Sequence, residues 1–129
     1  MNTRASVGLT WKSSVSRKRA NPKAATVWGN LGWTQFGMGK YEEAIISSHK
    51  ALELDSKLAY VKFNLGLIYA VQNDWEKAKK EYTDALALAQ PSDTQAGIDD
   101  VKDALKKHPD VGALKQSLDL LQRAPSKSS

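Results

Sequence analysis

At 129 residues the chain has room for one domain. It contains no cysteine, which excludes a disulfide framework, a thiolate metal site and a cysteine nucleophile, and no apolar run approaches the ~18–20 residues that cross a bilayer. The net charge of +5 is local: Arg4, Lys12, Arg17, Lys18, Arg19 and Lys23 fall in the first 24 residues without a single acid, so the rest of the chain is slightly acidic.

Residues 1–21 therefore form a basic leader, partly disordered or a short helix, and three readings of it stay open. Val7, Trp11 and Val15 lie on one helical face and can pack on the helix after them, as the eroded second helix of a preceding unit. The Arg- and Ser-rich, acid-free composition is that of an organelle transit peptide, although the apolar core of a secretory signal is missing. Ser16 to Arg19 is a basic cluster that could touch nucleic acid or an anionic surface, but so short a run beside one aromatic is weak support for nucleic acid as a partner. The chain reads as soluble, with the cytoplasm as the expected compartment and organelle import as the alternative.

Helices come after the leader. Asn21 before Pro22 caps a helix that runs to about Phe36, and Gly37 and Gly39 then break it. A partner helix spans about Tyr41 to Leu54. Asp55-Ser56 caps the next, about Lys57 to Gln72, and Asn73-Asp74 turns the chain into a fourth helix, about Trp75 to Ala89, which stops at Gln90-Pro91. Ser92 with Gln95 is a capping-box pattern opening a fifth helix with Ile98, Val101 and Leu105 on one face, ending before His108-Pro109. After Asp110, Val111, Leu114, Leu118 and Leu121 recur at helical spacing, and residues 124–129 make a polar tail expected to be mobile.

The helical stretch is written twice. Residues 25–58 and 59–92 are two 34-residue blocks in which ten positions are identical: Ala25/Ala59, Val27/Val61, Asn30/Asn64, Leu31/Leu65, Gly32/Gly66, Glu42/Glu76, Ala44/Ala78, Ala51/Ala85, Leu52/Leu86 and Leu54/Leu88. Small residues stand where two antiparallel helices approach closely, and the leucines supply the packing stripes. A period of 34 is the length of one helix-turn-helix unit in a repeat protein.

On these residues the chain resembles the tetratricopeptide repeat family, whose pattern begins Trp-x2-Leu-Gly-x2-Tyr. The first block has Trp28, Leu31, Gly32, Gly39, Tyr41, Ala44, Ala51 and Leu52 in order, but Gln35 and Ser48 stand where aromatics are expected. The second block has Tyr69 and Tyr82 there, with Leu65, Gly66, Trp75, Ala78, Ala85 and Leu86, and carries Lys62 at the leading Trp position. The resemblance implies an all-α fold, a right-handed superhelical array of antiparallel helix pairs over residues 22–123. Residues 93–123 have the length of a third unit without its pattern, so they are a degenerate repeat or capping pair. Their acids and lysines, Asp99, Asp100, Asp103, Lys102, Lys106 and Lys107, are expected to face water.

No catalytic constellation is visible. His49 and His108 have no partners at metal-ligand spacing, and His108 is expected to face the carbonyls at a helix end. Glu42-Glu43 and Asp99-Asp100 point to different sides of their helices, and Gly37-Met38-Gly39 is a helix turn rather than a phosphate loop. No cofactor, metal or catalytic residue is therefore expected.

The resemblance points instead to a protein-binding surface along the first helix of each unit. It assigns Thr26, Gly29, Asn30, Trp33, Phe36 and Gly37, with Tyr60, Phe63, Asn64, Leu67 and Val71, to the concave groove. Trp33, Phe36, Tyr60 and Phe63 would make an aromatic floor, and Asn30 and Asn64 would hydrogen-bond a peptide backbone or terminal carboxylate. The same aromatics could equally be covered by the leader, the C-terminal helices or another copy of the chain. Relatives that clamp acidic chaperone tails use Lys and Arg beside such asparagines; here Gly29, Trp33 and Tyr60 stand there, which argues against that ligand. The expected function is a non-enzymatic adaptor, scaffold or co-chaperone-like module binding a peptide segment or protein surface. Self-assembly through an uncapped end is the alternative.

Overall fold

The computed structural model describes residues 21–124, so the expectations for the leader before Asn21 and for the tail from Pro125 fall outside the described residues. Six helices run in order: α1 Pro22–Gly37, α2 Tyr41–Leu54, α3 Ala59–Val71, α4 Trp75–Leu88, α5 Pro91–Lys107 and α6 Gly112–Arg123. No strand occurs among the described residues. Asn21 caps α1 by accepting the Ala24 N–H at 3.3 Å, with Pro22 pre-set for the first helical position. Two three-residue turns make hairpins of α1–α2 and α3–α4. Gly39 at φ 80° and Asn73 at φ 62° supply the left-handed backbone these reversals need.

Two helix starts differ from the sequence expectation. The Asp55 carboxylate accepts the Lys57 N–H at 3.1 Å, a local turn that holds residues 55–58 out of the helix, so α3 opens at Ala59 rather than Lys57. The capping box at α5 is formed by Gln90 and Asp93, the Gln90 N–H donating to Asp93 Oδ2 at 2.9 Å, not by Ser92 and Gln95. Pro91, which ends the preceding run, is itself the first residue of the next helix.

The two hairpins use the same glycine for different ends. A Cβ at Gly66 would lie 2.7 Å from the ring of Tyr82, so Gly66 makes the seat in which that fully buried ring sits. In the first hairpin the partner is Ser48, and a Cβ at Gly32 would meet Ser48 Oγ at 2.8 Å and the Ala44 carbonyl at 3.2 Å. Gly32 thus lets the α2 backbone come close where no ring intervenes. Gln35 is held in the same hairpin, because Ser47 Oγ donates to Gln35 Oε1 at 2.6 Å, a polar lock in place of an aromatic contact. Both departures from the repeat pattern, Gln35 and Ser48, are therefore accommodated by one close, partly polar helix contact.

The third pair does not continue the packing of the first two. Beyond its hairpin partner α3 lies mainly against α2, yet α5 also lies against α3, and it is α6 that touches both α3 and α4. The register of α6 is fixed from across the fold, because Asn73 Oδ1 in the α3–α4 turn accepts the Ala113 N–H at 3.0 Å and so caps the helix. The main core accordingly gathers Phe63, Leu67, Tyr82, Ala85, Val101, Ala104, Leu114 and Leu121 from four helices.

Ser117 donates to the Ala113 carbonyl at 2.7 Å, and the Tyr82 hydroxyl, close by, makes no hydrogen bond of good geometry among the described residues. Burial pushes the Tyr82 phenol well above its ordinary range. The surface pairs Lys80–Asp84 (3.2 Å), Lys77–Asp74 (3.8 Å) and Arg123–Asp119 (3.3 Å) are exposed, so they add little to stability.

Gly66→Ala should destabilise the fold by about 1–3 kcal/mol, because the enclosed Tyr82 ring cannot yield to the new methyl group. Gly37→Ala, with no atom within 4 Å of the new Cβ, should leave stability within about 1 kcal/mol of the parent, on the stabilising side. Urea denaturation of both variants checks this, and equal effects would contradict the assigned role of Gly66.

Candidate functional site

Trp33 and Phe36 stand one turn apart near the end of α1, which brings their rings together at a centroid distance of 5.4 Å and a tilt of 34°. Phe36 passes the contact on to Tyr41 of α2, 5.7 Å away. Across from them α3 presents Leu67 and Val71, also one turn apart. Leu67 is 2% exposed and makes the floor, while Trp33 at 39% is open to solvent. The remaining wall is α5, whose Asp100, Asp103, Ala104 and Lys107 recur at the spacing of one helix face, with His108 just past its end. Together these residues enclose a cleft of about 120 Å³. Small-molecule sites occupy roughly 300–1,000 Å³, so the cleft is sized for a side chain rather than a cofactor.

Its charge comes from α5. Burial, then the neighbouring carboxylates of Asp103 and Asp99, raise the Asp100 carboxyl above its ordinary range. No ion pair or hydrogen bond among the described residues engages the side chain of Asp100 or Asp103. The expectation that all these acids simply face water is corrected at Asp100, which is half-buried in the cleft wall. His108 stands at the end of α5, where its backbone N–H donates to the Ala104 carbonyl at 2.8 Å, and the residue also lines the cleft.

Of the eleven groove residues expected from sequence, Trp33, Phe36, Leu67 and Val71 meet in this cleft. The others do not. Phe63 is 4% exposed and packs beneath α5, where a Cβ at Gly97 would lie 3.0 Å from its ring; its other neighbour is Tyr82 at 6.3 Å. Phe63 is core, not groove floor. Asn64 is likewise buried, and its side chain makes no hydrogen bond among the described residues, whereas its phase-mate Asn30 is exposed and lies outside the cleft lining. Tyr60 is half-buried over Gly29, its hydroxyl enclosed without a hydrogen-bond partner among the described residues.

The reason is that phase treats the two repeats alike, while α5 covers the inner face of the second alone. Reading by repeat phase misses the α5 contribution, although Asp100, Asp103 and Lys107 carry the i, i+3, i+7 spacing of one face in the sequence itself. Among the described residues no three His, Asp or Glu side chains gather as metal ligands. No described helix is long and apolar enough to cross a membrane.

Phe63→Ala should lower stability by about 3–5 kcal/mol, the cost of emptying an enclosed aromatic site. Trp33→Ala should lower it by no more than about 1.5 kcal/mol, the scale of a partly exposed ring pair. Thermal or chemical denaturation checks the contrast, and a similarly small loss for Phe63 would return it to an open surface.

Known proteins supply the family. A family model described as tetratricopeptide repeat matches residues 25–58, and a second of the same description matches 59–91, about half the chain between them. None of the curated proteins compared with the chain matches it. The two matched segments are α1–α2 and α3–α4, and they end at Pro91 where α5 departs from the repeated packing. The chain belongs to the tetratricopeptide repeat family, whose repeats serve in general as protein–protein interaction modules.

Proposed function

We propose that this chain is a non-enzymatic adaptor that seats an apolar side chain of a partner peptide in the cleft between α1, α3 and α5. The observation that carries this reading is the open aromatic wall of Trp33 and Phe36 facing Val71 over a buried Leu67, with charged groups confined to one side. An apolar floor with a polar rim is the usual anatomy of a peptide anchor site. The cleft's small volume favours a single anchoring side chain, and Asn30, exposed on α1 three residues before Trp33, is available to bond the peptide backbone beside it.

Selection of a random peptide library against the intact chain tests this. Binders should be enriched that lose at least tenfold in affinity on Trp33→Ala with Val71→Ser, while the far-ultraviolet circular dichroism of the double variant is unchanged. Binders that keep their affinity would place the partner surface elsewhere.

A second reading, self-association, is favoured by a different observation. Val27 and Leu31 on α1, with Met38 just past its end, are exposed apolar residues, at 67%, 41% and 59% exposure. The phase-mates of the first two in the second repeat, Val61 and Leu65, are fully buried. Val27 and Leu31 thus mark a stacking face without a described neighbour, and a second copy of the chain fits it. Sedimentation equilibrium should show an oligomer that dissociates on Val27→Glu with Leu31→Glu; a monomer at every attainable concentration would dismiss this reading.

A further inference from the structure

The cleft holds two carboxylates, Asp100 and Asp103, that nothing described neutralises, and the chain carries its own source of cations. Residues 1–20 contain Arg4, Lys12, Arg17, Lys18 and Arg19 and no acid. We infer that this leader is an intramolecular ligand of the cleft, Lys12 pairing with Asp100 or Asp103 while Trp11 lies against Trp33 and Phe36. The inference rests on the same cleft being a peptide site, and it names the segment that occupies it when no partner is bound.

Reach selects the residue. The leader joins the fold at Asn21, the cap of α1, and Trp33 lies twelve residues along that helix, about 18 Å away at 1.5 Å per residue. An extended chain spans at most ~3.3–3.6 Å per residue. The backbone at Arg17 reaches about 14 Å from Asn21, so only its extended side chain attains the near edge of the cleft, whereas at Lys12 the backbone reaches about 30 Å, enough to lie back along α1 and place both Lys12 and Trp11 in the cleft. Lys12 is also the cation that comes directly after an aromatic, matching a cleft with an aromatic wall and an acidic one.

The cleft is not uniformly acidic, since Lys107 and His108 line one end; the carboxylates of Asp100 and Asp103, one turn apart on α5, set the other. Burial and like-charge neighbours hold Asp100 above its ordinary range, so a cation placed there relieves an existing penalty. A tethered ligand also acts at high effective concentration, so weak contacts suffice to occupy the site and a partner must displace them.

Zero-length carbodiimide coupling of the full-length chain, mapped by mass spectrometry, tests this directly. The exposed pair Lys80–Asp84, with Nζ 3.2 Å from Oδ2, is the internal positive control. In the monomer fraction Lys12 should couple to Asp100 or Asp103. The link should fall at least fivefold on Asp100→Asn with Asp103→Asn, and fall again as added salt screens the pair. Recovery of the Lys80–Asp84 link with Lys12 uncoupled, or coupled only to other carboxylates, would overturn the inference. Lys12 links confined to a dimer fraction would overturn it in favour of a second copy's leader.

The library selection separates this from the proposed function. Cleft-dependent binders without a Lys12 link leave the partner site standing and remove the leader from it. A Lys12 link, with no binders even to Lys12→Glu, leaves the leader as the occupant and removes the partner.

Discussion

Helix α3 is buried around most of its circumference, with Lys62 its one charged residue, and the rest of the molecule is arranged to cover it. Nine of its thirteen residues are buried, from Ala59 and Val61 through Phe63, Asn64, Leu65, Gly66, Leu67 and Ile68 to Ala70. A helix apolar around most of its circumference must be enclosed on most sides, and a repeat pair covers only part of them. α2 and α1 take the face of Val61, which abuts Gly29; α4 takes the face of Gly66 through Tyr82; and Phe63 and Leu67 remain. α5 and α6 cover them. This is why a C-terminal pair without the repeat pattern is still needed: its task is to close α3, and closure does not require the residues that propagate an array.

The same constraint locates the cleft. α1 has fewer buried residues than α3, and all of them, Ala25, Gly29 and Gly32, are small. Trp33 and Phe36 extend past the edge of the helix that covers α3, so the line where α5 stops is where an aromatic wall opens. The lining of one side by Asp100 and Asp103 has the same origin, since the residues of α5 that flank its packing face turn toward α1. The proposed site thereby sits at the seam between the regular repeats and the irregular pair.

Much of this is legible in the sequence, for physical reasons that can be named. The 34-residue period, the Asn21-Pro22 start, the Asn73-Asp74 turn and the Pro91 break are local signals, and local signals place helices and hairpins well. The departures Gln35 and Ser48 read as erosion in the sequence, and only the bond from Ser47 to Gln35 and the approach of Gly32 to Ser48 reveal the compensation. Phe63 is misplaced by phase, which pairs it with Gly29 of α1 and carries no sign that α5 lies over the second repeat. One signal warns of it: Gly97 stands in the interior of a seventeen-residue helix, where glycine costs about 1 kcal/mol relative to alanine, and such a residue marks a close approach. Its neighbour is Phe63.

The central claim is that α3 is enclosed by all of its neighbouring helices at once, and native-state amide hydrogen exchange measures it most directly. The amides of Leu65 to Ile68 should exchange only through global unfolding, with an opening free energy equal to that obtained from denaturant titration, while amides near Trp33 on α1 open more readily. Exchange of the α3 amides through a local opening, at rates like those of α1, would mean that α5 and α6 do not close the core and would contradict the account.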